Sequence, residues 1–208
     1  MNTSKTPITA FILAAGKSMR FGQPKVLQSF AGIPFLTRIR QNLMQIGIDR
    51  PFLILGYQAR ELIPLLPGKD SFEIIINPRF ESGMFTSVQS ALRALPDSVL
   101  GTLLCLIDQP HILPQTYHRL MQSATDNPHN IIISTFNQRG GHPIYLPASL
   151  FEIILRANPQ STLKDILTAH RSLILRIETD DPGIREDIDT PEDLVRLEKI
   201  FAFNKAQK

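Results

Sequence analysis

Short apolar runs alternate along this chain with longer segments whose apolar residues recur every three or four positions. The runs cover residues 8–14, 52–55, 72–76, 102–107, 131–135, 143–146 and 173–177. Most are apolar at nearly every position, as expected of strands covered on both faces. Between them, segment 34–46 places Phe35, Leu36, Ile39, Leu43 and Ile46 close to a helical period. Segments 84–95, 114–125, 150–157 and 191–201 read the same way, and a shorter helix is expected over 163–169, capped by Ser161 or Thr162. Strands alternating with helices predict βαβ units. The expected class is therefore α/β, a Rossmann-like three-layer sandwich with a mostly parallel sheet. No Pro/Gly/Ser-rich linker or internal repeat divides the chain, so residues 1–208 read as one domain. Stretch 140–188 is less regular and is expected to carry an antiparallel edge. The tail 204–208 is expected to fray.

Composition narrows the classes. The 208 residues are 43% hydrophobic and 20% charged, which is ordinary for a globular chain and too apolar for disorder. No stretch approaches the ~18 uninterrupted apolar residues of a membrane span. A net charge of +3 without any Lys/Arg run gives no sign of a nucleic-acid partner. Lys5 and the apolar run that follows have the outline of a short secretory signal. Gly16-Lys17-Ser18-Met19-Arg20 follows at once, so a first strand is the better reading. The single cysteine, Cys105, rules out an intrachain disulfide and suits a reducing compartment, so a cytoplasmic location is expected. Cys105 lies inside an apolar run and reads as a small buried hydrophobe.

In parallel sheets ligands sit at the carboxyl ends of strands. The loop after the first run reads Leu13-Ala14-Ala15-Gly16-Lys17-Ser18-Met19-Arg20-Phe21-Gly22-Gln23-Pro24-Lys25. Its small residues let a ligand approach the backbone, and consecutive N–H groups in such a turn form an anion nest. Arg20 and Lys25 add positive charge, which makes a triphosphate the natural guest. A P-loop is excluded because Phe11 stands where that motif needs its first glycine. Asp108 ends a fully apolar run, where a carboxylate is costly unless paired or bound to a cation. Asp-x-Pro also favours a turn, so the residues alone leave both roles open. Thr190, Pro191 and Asp193 fit the N-cap, first and third positions of a helix, which leaves Asp189 free of capping duty. Asp187 reads as structural. His111, His118, His129, His142 and His170 are scattered and show no zinc spacing.

The order Leu-Ala-Ala-Gly-x-Ser-x-Arg-Phe-Gly-x-Pro-Lys at 13–25 resembles the signature loop of nucleotidyltransferases with a glycosyltransferase-A-like fold. The likeness is greatest to the molybdenum cofactor cytidylyltransferase branch and its MobA-like relatives. Asn77-Pro78-x-Phe80-x-x-Gly83-Met84-x-x-Ser87-Val88 is similar to that family's second nucleotide-contacting loop, and Asp108-Gln109-Pro110 to its metal motif. Gly141-His142-Pro143 and the segment from Asp187 to Leu194 are similar to its later motifs.

The resemblance implies a transfer of a nucleoside monophosphate to a phosphorylated acceptor, with pyrophosphate released. Residues 5–140 would hold mainly the NTP and residues 140–190 mainly the acceptor. Lys25 and Arg20 would be catalytic. Leu13, Ala14, Ala15, Gly16, Ser18, Asn77, Gly83 and Ser87 would join them in nucleotide binding. Asp108 and Asp189 would bind the metal, Mg²⁺, which favours a few carboxylates, waters and phosphate oxygens. His142 would lie on the acceptor side. Ala14-Ala15, where GTP users of the family carry Gly-Gly, points to CTP, and the acceptor implied is molybdopterin or its molybdenum cofactor. Segment 158–166 lacks the Gly/Asp pattern of molybdopterin cytidylyltransferases, which leaves the acceptor open, with Lys164 either a phosphate ligand or a solvated lysine. A sugar- or polyol-phosphate nucleotidyltransferase would share the NTP half. A cofactor-binding maturation factor that delivers molybdenum cofactor to an oxidoreductase is a second alternative, against which the complete set of Arg20, Lys25, Asp108 and Asp189 argues. The chain is expected to act as a monomer, with at most a transient oxidoreductase partner.

Overall fold

A computed structural model describes the backbone of residues 8–206 and the side chains of residues 8–202. Among the described residues the first strand is β1 (Ile8–Ala14). A two-residue pair, β2 (Ser29–Phe30) and β3 (Ile33–Pro34), leads into helix α1 (Phe35–Gln45). Then come β4 (Phe52–Leu55), α2 (Ala59–Leu62), β5 (Glu73–Ile76), α3 (Met84–Ala94) and β6 (Gly101–Leu106). The second half holds α4 (Pro114–Asp126), β7 (Ile131–Phe136), β8 (Arg139–Pro147), α5 (Phe151–Arg156), α6 (Leu163–Ala169), β9 (Ile174–Glu178) and α7 (Pro191–Ala206). The seven-stranded sheet has the order β5-β4-β1-β6-β8-β7-β9.

Strand periodicity explains the layers. Ala10 and Ile12 of β1 face one core, with Leu36, Ile39 and Leu120 from α1 and α4. Phe11 and Leu13 face the other, with Val88, Leu92 and Ile154 from α3 and α5. Both faces of the central strands are thus buried, which is why their sequences are apolar throughout. Cys105 is buried among these residues, and burial pushes its thiol up to about 12. Thr162 rather than Ser161 caps α6. Its Oγ1 accepts from Asp165 N–H, and the Asp165 carboxylate accepts in return from Thr162 N–H. Helix α7 passes the expected end at Phe201 and runs to Ala206, so residues 204–206 of the expected frayed tail are helical. Gln207, Lys208 and Lys5 lie outside the described residues. Among the described residues no helix is long and apolar enough to cross a membrane.

The antiparallel strand falls at the start of the expected stretch but not at the expected edge. It is no edge: β8 lies inside the sheet, antiparallel to both β6 and β7, and the edge is β9, parallel to β7. The cause is a two-residue turn. Asn137 and Gln138 both adopt left-handed φ, +48° and +62°, and fold β8 directly back on β7. Asn-Gln is a weak signal for such a turn, and Gly140-Gly141 reads as a strand breaker. The reversal has a functional result. Parallel strands bring their last residues to the ligand end of the sheet, and β8, running backwards, brings its first ones, Gly140, Gly141 and His142.

Candidate functional site

The crevice at that end has a volume of about 680 Å³. Its floor is the loop after β1. Ser18 takes a left-handed conformation, φ +51°, and its carbonyl accepts from Phe21 and Gly22 N–H at 3.1 Å each. This folds the loop back and leaves the N–H groups of Gly16, Lys17 and Ser18 without a protein partner among the described residues. A Cβ built on Gly16 meets nothing within 4 Å, so the space above the loop is open. Ser18 Oγ also accepts from Lys25 N–H at 3.3 Å and so steers the lysine.

Lys25 turns inward and is only 8% exposed. Its Nζ donates to Asp108 Oδ2 at 3.1 Å and to Asp189 Oδ1 at 2.7 Å. Arg20 reaches Asp189 Oδ2 at 2.8 Å from the exposed rim. Asp108 arrives from the end of β6, and its carbonyl accepts from Ile188 N–H at 2.9 Å, which pins the 187–189 segment beside it. Asp189 is free to face the crevice because Thr190 and Asp193 cap α7 reciprocally: Thr190 Oγ1 accepts from Asp193 N–H at 3.1 Å, and the Asp193 carboxylate accepts from Thr190 N–H at 3.0 Å.

Asp187, read from sequence as structural, lines the same crevice. Gln109 Nε2 donates to its Oδ1 at 2.8 Å. Burial, and then the charge of Asp108, raise the Asp187 carboxyl above its ordinary pKa. Three carboxylates therefore crowd around Lys25 and Arg20. Asp108 Oδ1 is buried and has no hydrogen-bond partner. An anionic oxygen left bare in this way is costly unless a cation meets it, so the donor set fits a hard divalent ion. Among the described residues no group of three or more His, Cys, Asp or Glu could hold a metal ion. A hard divalent ion such as Mg²⁺ takes only a few carboxylates, with phosphate oxygens and water completing its shell.

The second predicted loop divides. Ser87 lines the crevice, but Asn77 is fully buried. Its Nδ2 donates to Thr86 Oγ1 and Ser87 Oγ at 2.9 and 3.0 Å, and its Oδ1 accepts from Arg79 N–H at 2.9 Å. Asn77 therefore shapes the loop from behind and offers nothing to a ligand. Gly83, at φ +101°, sits outside the lining and supplies the backbone turn that starts α3. Phe80, Glu81 and Met84 belong to the same loop and Tyr57 to the loop after β4; of these the sequence reading includes Phe80 and Met84 within the motif and misses Glu81 and Tyr57. Glu81 accepts from Lys17 Nζ at 2.6 Å, and Tyr57, Phe80 and Met84 form an apolar wall. Gly56 permits that wall, since a Cβ there would lie 2.5 Å from Phe80 Cβ. Lys17 could have been flagged, because it lies within the signature loop. Tyr57 follows an ordinary strand and carries no sequence signal. Residues 158–166, Lys164 included, do not line the crevice.

His142 does line it. Burial depresses the imidazole to about 4, against a smaller upward pull from Asp108. The ring is neutral at neutral pH and is a hydrogen-bonding group, not a cation. A depressed folded-state pKa adds stability above the unfolded value near 6.5 that is lost as pH falls towards 4. Stability should therefore fall by up to ~1.4 kcal/mol per pH unit across that window from this group alone. His142→Gln should flatten the slope in a denaturation series. An unchanged slope would show that the ring is solvated.

A family model described as the MobA-like NTP transferase domain matches residues 10–173. Over 199 residues the chain is 28% identical to the molybdenum cofactor cytidylyltransferase of Escherichia coli (strain K12), covering 93% of this chain and 97% of that one. Among solved structures, Rv0371c from Mycobacterium tuberculosis H37Rv superposes with a TM-score of 0.75 at 24% identity, over 94% of this chain and 100% of that chain. A second structure of that protein, in complex with manganese, gives 0.71 at 23% identity, over 92% of this chain and 98% of that chain. The match begins in β1, takes in the phosphate-type loop, Asp108 and Gly141, and ends just before β9, so the chain belongs to the MobA-like NTP transferase family and is a nucleotidyltransferase.

Proposed function

We propose that the protein transfers CMP from CTP to the phosphate group of molybdopterin or molybdenum cofactor. The observation that carries this is the buried Lys25 ammonium shared by Asp108 and Asp189, in one crevice with the free amides of residues 16–18. Support for the substrates comes from the likeness to the Escherichia coli enzyme over nearly the full length of both chains.

In this reading an acceptor phosphate oxygen bonds to the α-phosphorus, and the bond to the β-phosphate oxygen breaks. A phosphate monoester, with a second pKa near ~6, is already anionic and needs no general base. The chain's part is positioning and charge stabilisation. Lys25 neutralises the charge that develops on the α-phosphate. Arg20 and the amides of 16–18 hold the β- and γ-phosphates, and Ser18 keeps that loop folded. Asp108 and Asp189 would hold Mg²⁺, with Asp187 beside them. When bound, the ion offsets phosphate charge and relieves the crowding of the three carboxylates.

Ala15 lines the crevice, and its carbonyl accepts from Tyr57 N–H at 3.2 Å, so its methyl has a fixed place. That methyl would narrow the base slot against a purine. One methyl is worth ~1–3 kcal/mol. Ala15→Gly should therefore raise GTP use relative to CTP by about tenfold or more. A pyrophosphate-release screen of CTP, GTP and ATP against molybdenum cofactor and against sugar phosphates tests the whole reading. Release is expected with CTP and the cofactor. Preference for GTP would refute the base assignment, and release with a sugar phosphate alone would refute the acceptor.

A further inference from the structure

We propose that a second cavity, behind the catalytic carboxylates, is a binding site for a small molecule whose oxyanion group pairs with the Arg38 guanidinium. The cavity has a volume of about 740 Å³ and lies between α1, the 110–115 loop, the 180–182 segment and α7. It shares no lining residue with the catalytic crevice.

Arg38 is held in place there. Its Nε donates to the Pro110 carbonyl at 3.2 Å, and its guanidinium carbon lies 5.1 Å from the Phe30 ring centre and 4.7 Å from that of Phe201. Burial lowers its pKa, which marks a cation partly stripped of water. Yet no carboxylate pairs with it among the described residues. Asp180, in the same lining, forms no ion pair with it. Its terminal nitrogens have no protein partner and are not shut off from solvent. A half-buried guanidinium, oriented by two rings and a carbonyl but left unpaired, matches the fork geometry of a carboxylate or phosphate. Gln41, Gln45 and Gln115 line the same cavity and supply further N–H donors.

The site abuts the catalytic loops through two contacts. Pro110, which Arg38 grips, lies two residues beyond Asp108. His111 is neutral because burial lowers its pKa, and its Nε2 bonds the Gly183 carbonyl at 3.2 Å, at the start of the segment that carries Asp187 and Asp189. A ligand that draws on Arg38 would thus be felt at both ends of the carboxylate cluster.

The inference does not depend on CTP or on the acceptor. To test it, the ¹⁵N-labelled full chain is titrated with inorganic phosphate and, separately, with succinate, and the Arg38 Nε–Hε and Gly183 amide signals are followed. A saturable shift at Arg38, with Gly183 moving in step, is expected in the millimolar range. A response to phosphate alone assigns the site to a phosphate-bearing ligand, and a response to succinate assigns it to a carboxylate. In Arg38→Gln the Gly183 shift should vanish while basal pyrophosphate release is unchanged. No saturable shift at Arg38, shifts confined to residues 16–25, or a Gly183 shift that persists in Arg38→Gln would overturn the proposal.

Discussion

Lys25→Ala is expected to lower pyrophosphate release by at least ~10²–10³-fold, the usual loss when a preorganised charge contact to the transition state is removed. Nucleotide binding should fall much less, because the amides of residues 16–18 and Arg20 remain. The same change has a second, separable effect. Lys25 lies between Asp108 and Asp189, whose side chains are 23% and 26% exposed. Removing the buried partner of an ion pair costs ~3–5 kcal/mol when both groups are dry. With carboxylates this exposed, about 2 kcal/mol is the better expectation. Mg²⁺ should recover more melting temperature in Lys25→Ala than in the wild type, since it would meet the charge the lysine no longer meets. Lys25→Met keeps the aliphatic stem and separates lost charge from lost packing. Turnover close to wild type in either variant would remove Lys25 from the chemistry.

Gly141→Ala is expected to damage both stability and turnover. A Cβ there would lie 2.0 Å from the Ile184 carbonyl oxygen and 2.7 Å from its carbon. Both are backbone atoms, so no rotamer change relieves the clash. Ile184 is fully buried, and its carbonyl also accepts from Gln109 Nε2 at 3.3 Å. The strain must pass into the 184–189 segment and displace Asp187 and Asp189 from Asp108. Overpacking of this kind costs ~1–3 kcal/mol, or roughly 2–4 °C of melting temperature per kcal/mol in a chain of this size. Transfer should fall more than tenfold, since misplacement by about 1 Å alone can cost ~10². Gly16→Ala is the control: its Cβ meets no protein atom, so its melting temperature should not move, and any effect should appear only in nucleotide binding. Calorimetry and turnover on the two variants check both statements. A Gly141→Ala protein that melts and turns over like the wild type would show that the 184–189 segment yields without cost.

The parts of this molecule that were legible in its sequence are those ruled by local chemistry. Parallel strands buried on both faces must be apolar throughout, so 8–14 and 102–107 could be read within a residue or so. The cap of α7 could be read because Thr190, Pro191 and Asp193 each satisfy a different requirement of a helix start. The same stretch leaves Asp187 undecided, since nothing local tells which of two carboxylates ahead of a helix points inward. That is set by Gln109, 78 positions away in the chain. The place of β8 was illegible for a related reason. Its apolar residues announce a strand, but only the left-handed pair Asn137-Gln138 decides its direction and neighbours. Asn77 shows the converse. Its motif was legible, but the motif carries no record of whether the side chain faces a ligand or the loop behind it.

The insertion of β8 next to β6 also bears on how the protein is made. β6 is complete once residue 106 has been synthesised, but the strand that covers its open side ends at Pro147. Until then a nascent chain presents an apolar, unpaired strand edge, the kind of surface on which chains associate wrongly. Truncation products ending between these points should aggregate, and because the outer edge of β7 waits for β9, only those ending beyond Glu178 should stay dispersed even though they lack Asp189. Solubility is therefore acquired before activity during synthesis, and the last carboxylate to emerge is the one that completes the site.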